Sequence, residues 1–187
     1  MLLDLGAIRD PNRAGQAYAL TFLMPIVPGD EDLLRTELEA LGADGVSPLA
    51  RLARTHFGRW VICPDFVTDP EQPAPDPLGC QYLIFSVCID GEPDSYLAEL
   101  CTELAPETRR IWRHCINAPD PAEGPELHAY LRHNQIDTGL FYSAYPNVTV
   151  GEVRRVLHQQ AALRMLAVDA PSLDPAELQR RFLAEVR

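Results

Sequence analysis

The chain has 187 residues, 47% of them apolar and 23% charged, and carries a net charge of −11 from 27 acidic and 16 basic side chains. That length suits a single domain with a sizeable core, and the acidic surplus argues against nucleic acid or an anionic membrane as partner, since both need a cationic face. Every basic residue is Arg and none is Lys, which removes Schiff-base chemistry and lysine-based phosphate loops from consideration.

Residues 1–15 mix Asp4, Arg9, Asp10 and Arg13 with apolar side chains and read as a loose arm rather than a signal peptide. Residues 18–26 form a mostly apolar strand that Pro25 places near an end or a bulge. Pro28-Gly29 turns the chain, and Asp30 caps a helix in which Leu34, Leu38 and Leu41 keep helical spacing before Gly42 stops it. Residues 55–63 are a second strand. Residues 64–79, rich in Pro and acidic side chains (Asp65, Asp69, Glu71, Asp76), form a long exposed loop. Residues 81–90 are the third strand. A helix from Asp94 or Ser95 to Leu104 follows, then one from Pro106-Glu107 to Cys115, and a third over 126–134. Residues 138–145 are predicted as the fourth strand. Thr149 caps a long helix with Val153, Val156, Leu157, Leu163 and Leu166 at helical spacing, and residues 172–187 form an amphipathic tail helix with Leu178, Phe182 and Val186 on one stripe.

The order β-α-β-β-α-α-α-β-α-α predicts one α+β domain over 1–187 with ferredoxin-like split βαβ topology. Its four-stranded antiparallel sheet carries helices on one face, with extra helices after the third strand and at the C-terminus. The other face then meets water or a second copy of the chain, and a homodimer is expected. No run of about 18 apolar residues occurs, so no membrane span is expected. Cys63, Cys80, Cys88, Cys101 and Cys115 are odd in number and form no Cys-x-x-Cys pair. They read as free thiols of a reducing compartment, and a cytoplasmic location follows as the expectation.

Alternation sorts the strand side chains. In the third strand Leu83, Phe85, Val87 and Ile89 form an apolar row assigned to the helix-covered core. Tyr82, Ile84, Ser86, Cys88 and Asp90 form a mixed row of the kind that lines cavities and interfaces. In the second strand His56, Gly58, Trp60 and Ile62 alternate with Thr55, Phe57, Arg59, Val61 and Cys63. His56 and Arg59 therefore fall on opposite faces, and the permanent charge of Arg59 favours the open one. The fourth strand contributes Tyr142 on one face and Ser143 and Tyr145 on the other.

The runs 52–62 (Leu-Ala-Arg-Thr-His-Phe-Gly-Arg-Trp-Val-Ile), 82–91, 111–115, 129–135 and 140–146 (Leu-Phe-Tyr-Ser-Ala-Tyr-Pro) resemble a group of uncharacterised bacterial proteins, themselves similar to the dimeric α+β barrel superfamily. The resemblance covers residues 18–160. It implies a homodimer and a fold that hosts haem-binding, monooxygenase and muconolactone-isomerase-like proteins, with no catalytic residue carried over.

The functional expectation is a small-molecule-binding protein, a cofactor-free or haem-dependent oxidative or isomerising enzyme. Its pocket would lie between sheet and helices. His56 or Arg59 is the candidate polar anchor, and Tyr142 or Tyr145 positions the ligand. For a haem, His114 or His133 supplies the single axial imidazole, with Ser86 beside the cofactor. The other class that fits is a non-catalytic accessory module docking on a partner enzyme. No metal site is expected, because His128 and His133 are five apart on a helix and no further ligand lies at short spacing. His114 and Cys115 are helix neighbours whose side chains diverge by about 100°, which excludes Cys-His catalysis from that pair.

Overall fold

The computed structural model describes residues 10–65, 71, 73, 74 and 76–185. The chain separates into two compact units, Met1–Asn147 and Val148–Arg187. The first is α+β. Its antiparallel sheet contains β1 (Arg13–Ala14), β2 (Ala17–Pro25), β3 (Thr55–Cys63), β4 (Tyr82–Asp90) and β5 (Gln135–Ile136). β4 lies between β2 and β3 and is antiparallel to both, while β1 and β5 share the outer edge of β2.

Four helices of this unit, α1 (Glu31–Ala40), α2 (Pro93–Glu103), α3 (Ala105–Trp112) and α4 (Gly124–His133), pack on one face of the sheet. That face is built by strict alternation. Tyr18, Leu20, Phe22 and Met24 of β2 stand opposite Ile89, Val87, Phe85 and Leu83 of β4, and all are buried. Leu34, Tyr96, Leu97, Leu100, Ile111 and Trp112 descend on them from the helices. Phe85 is the hub: Trp60 stacks on it at 4.9 Å, Phe22 at 5.7 Å, and Trp112 meets its edge at 5.7 Å. The Trp112 indole N–H donates to Met24 Sδ at 3.4 Å. The pocket expected between sheet and helices is therefore occupied by packed aromatic side chains.

Residues 10–15 are not a loose arm. Asn12 is 2% exposed, its side-chain amide donates to Asp137 Oδ1 at 3.0 Å, and its Oδ1 accepts the Thr138 N–H at 2.7 Å. Residues 1–9 lie outside the described residues.

The predicted fourth strand is absent: residues 138–145 carry no strand, and the two residues of β5 precede them. The edge they would need is already taken. β5 pairs Ile136 with Thr21, so lengthening it would bring residues 138 and 139 opposite Ala19 and Tyr18. Tyr18 is the partner of Arg13 in β1, and the Ala19 N–H donates to Asn12 O at 2.8 Å. The arm thus displaces the strand.

Of the loop expected over 64–79, the described residues carry neither helix nor strand; 66–70, 72 and 75 lie outside the described residues. The second unit contains α5 (Val150–Asp169) and α6 (Pro175–Glu185). Thr149 caps α5 as the sequence suggested, and the structure adds Glu152, which completes a reciprocal capping box with it. Val156 and Leu157, two of the apolar positions at helical spacing, are more than half exposed. Val186 lies outside the described residues. No described helix is long and apolar enough to cross a membrane.

Candidate functional site

The face of the sheet away from the helices carries a three-by-three grid. β4 supplies Ile84, Ser86 and Cys88 down the middle. Leu23, Thr21 and Ala19 of β2 stand on one side, and Val61, Arg59 and Phe57 of β3 on the other. Ile136 of β5 extends the Thr21 row. Thr21 Oγ1 and Ser86 Oγ lie 3.5 Å apart across the strands. Phe57 is 65% exposed, Ile136 46% and Val61 40%, which is a large apolar exposure for one face of a sheet.

Arg59 sits in this grid opposite Ser86. Seven of the nine described arginines in the first unit (13, 51, 54, 109, 110, 113 and 132) form ion pairs with carboxylates. Arg35 and Arg59 have no such pair among the described residues. Arg35 lies on the exposed surface of α1 among Glu31, Asp32 and Glu39, whereas Arg59, exposed on the edge strand β3, has Phe57, Val61, Ile84, Ser86 and Cys88 as its neighbours in the sheet.

The expectation that His56 and Arg59 point to opposite faces fails at a β-bulge. Thr55 stands opposite Ile89 and Phe57 opposite Cys88, so His56 is the extra residue that resets the alternation. Thr55 turns to the helix side, where its Oγ1 lies 2.9 Å from the Tyr96 hydroxyl. His56 reaches the end of the open row, with Nε2 2.7 Å from Asp90 Oδ1. Their side chains are only 21% and 11% exposed. A carboxylate can only accept, so Nε2 carries the hydrogen and the lone pair of neutral His56 lies on Nδ1. That is the arrangement of an oriented base.

Cys88 lies next to Asp90 in the same row, and burial, then the Asp90 charge, pushes its thiol up to about 11. It is no thiolate nucleophile at neutral pH. Gly58 faces the helices and its missing side chain leaves no cavity: a Cβ there would lie 2.6 Å from Leu49 Cδ1, on the 3-10 turn Pro48–Arg51.

Ser86 thus joins Arg59, but Tyr142 and Tyr145 do not. They are 81% and 75% exposed on the loop after β5, which leaves the sheet at the β2 edge, opposite β3. His114 is buried with both ring nitrogens engaged. Arg113 Nε donates to its Nε2 at 3.2 Å, so Nδ1 carries the hydrogen and donates to Asp30 Oδ2 at 2.8 Å. Neither nitrogen is open to a haem iron. His133 is exposed at the end of α4, on a surface groove of about 380 Å³ that Pro25, Ile116 and Tyr130 also line. These residues do not fit an enclosed haem. Among the described residues no cluster of metal-ligating side chains occurs.

Sequence reasoning placed Asp90 in the open row without its partner, because the bulge that delivers His56 has no signature in the residues Thr55-His56-Phe57. Thr21 was missed, although a lone hydroxyl in the apolar run Ala-Leu-Thr-Phe-Leu was a usable signal. Comparison of the chain with protein-family models, with curated proteins and with solved structures returns no match.

Proposed function

We propose that the first unit is a ferredoxin-like domain of the dimeric α+β barrel type that binds a small molecule on the open face of its sheet, with a second copy of the chain closing over that face. The topology supports the fold reading: β2, α1 and β3 make a crossover between parallel strands, and β4 inserts between them as in a split βαβ unit. The observation that carries the functional reading is the grid around Arg59, an apolar and hydroxyl-bearing surface with one cation and an oriented histidine at its end. The chemistry in this reading is cofactor-free proton transfer, with His56 as the base that Asp90 orients. The five free thiols agree with a reducing, cytoplasmic setting.

Light scattering tests the assembly. A mass of twice 20.8 kDa is expected at micromolar concentration, and Phe57→Glu should halve it while leaving the far-UV circular dichroism intact. A wild-type mass of 20.8 kDa would sink the closure by a second copy.

A second reading, an accessory module that docks on a partner, draws on one observation in the second unit. Leu163, Leu166, Ala167, Leu178 and Phe182 line an apolar groove of about 550 Å³ between α5 and α6. Binding of a small molecule to the sheet face, measured by titration calorimetry, favours the first reading over this one.

A further inference from the structure

We infer that the ligand of the open sheet face is a carboxylate with an apolar body, held by Arg59. The inference rests on the reading that this face binds a small molecule, and it adds the ligand's chemical class.

The argument starts from charge. The first unit holds 22 acidic and 10 basic residues, a net charge of −12, so a cation there has every opportunity to find a carboxylate. Seven of its described arginines do. Arg59 does not, because its neighbours in the grid are Phe57, Val61, Ile84, Ser86 and Cys88. The acid in the same row is Asp90, four residues along β4 from Ser86 and so about 13 Å away at strand spacing. Asp90 is itself engaged with His56 at 2.7 Å. Arg59 therefore presents a planar five-donor fork on an apolar surface, with no described carboxylate beside it to compete for it.

A guanidinium fork matches a carboxylate in two parallel hydrogen bonds. Thr21 and Ser86, 3.5 Å apart, offer hydroxyls on the row that runs away from Arg59. A phosphate would call for more: the grid contains one cation, and no second Arg stands in its nine positions. Of the other six positions, Leu23, Ile84, Val61 and Phe57, with Ile136 at the rim, accept hydrocarbon or an aromatic ring. The complementary molecule is a monoanion whose head meets Arg59 and whose body lies on these side chains.

The test is titration calorimetry of the full chain with three probes of equal length: octanoate, octan-1-ol and octylamine. Octanoate should bind at least tenfold more tightly than either of the others. Arg59→Gln should weaken octanoate by about 10- to 100-fold, the range of a charge-assisted hydrogen bond, and leave octan-1-ol unchanged. Arg59→Lys keeps the charge but not the fork, and should recover only part of the loss. Arg59 is exposed and has no ion pair among the described residues, so both variants should keep the wild-type melting temperature. Octanol or octylamine binding as tightly as octanoate would overturn the carboxylate class and leave the small-molecule reading standing. Octanoate binding unchanged in Arg59→Gln would overturn the role of Arg59. Absence of binding by all three probes at millimolar concentration would overturn the inference and the small-molecule reading together.

Discussion

Replacing Gly15 by Ala should loosen the edge of the sheet where the N-terminal arm meets the loop after β5. Gly15 has φ +62°, a left-handed conformation that costs a residue with a Cβ about 1 kcal/mol. An added methyl would also overlap the carbonyl of Pro146 and come 2.5 Å from Asn147 Oδ1. The obstruction is backbone, so it cannot swing aside, and the Pro146 carbonyl is the group that accepts the Gln16 N–H at 2.7 Å. Moving it sacrifices that bond, a further cost of about 1–2 kcal/mol. The sum is about 2–3 kcal/mol, which for a unit of this size lowers the melting temperature by about 4–12 °C. Thermal unfolding followed by tryptophan fluorescence measures it, with Gly42→Ala as control, since nothing lies within 4 Å of a Cβ at Gly42. A Gly15→Ala protein that melts within about a degree of wild type would refute the reasoning, and with it the claim that residues 10–15 are an integral edge of the sheet.

Phe85→Ala removes the ring on which Phe22, Trp60 and Trp112 converge and should cost about 3–5 kcal/mol, read from denaturant unfolding. His56→Ala takes a partner from the buried Asp90 carboxylate; a loss of about 2 kcal/mol should appear as a lower urea midpoint with an unchanged slope. The thiols predict an alkaline weakness. Burial raises Cys88 to about 11 and Cys101 and Cys115 to about 12, against 9.0 for a free thiol, so their contribution is whole below pH 9 and drains as pH rises toward the folded values. At pH 10 each thiol should subtract about 1 kcal/mol, and stability that is equal at pH 8 and pH 10 would contradict it. By the same burial, brief alkylation of the native protein should label the half-buried Cys63 and Cys80 ahead of the other three, as mass spectrometry would read.

Much of the fold was legible because period-two and helical patterns are local. The row Leu83, Phe85, Val87, Ile89 announced the core side of β4, and Thr149 announced the start of α5. What could not be read were competitions between distant segments. Residues 138–145 have the alternation of a strand, yet Arg13 and Asn12 hold the edge they would occupy, and nothing in either stretch reveals the other's claim. The site suffered in the same way. The permanent charge of Arg59 assigned it to the open face with Ser86, but a single extra residue at His56 reversed the parity on one side of it and brought His56 to Asp90. The helix histidine His114 looked available because sequence cannot show that Asp30, which caps α1 without a side-chain bond to it, turns its carboxylate to the imidazole instead.

The aromatic stack has a consequence for how the protein reports on itself. The chain contains two tryptophans, Trp60 and Trp112, and both lie against Phe85. All six tyrosines also fall in the first unit, while the second holds Phe182 as its one aromatic side chain. Near-ultraviolet absorbance and fluorescence therefore watch the sheet and its helices and are blind to α5 and α6. Far-ultraviolet dichroism, dominated by helix, registers both units. Transitions that fail to coincide between these two signals would mark the separate melting of two bodies, a different event from a partly folded intermediate of either one.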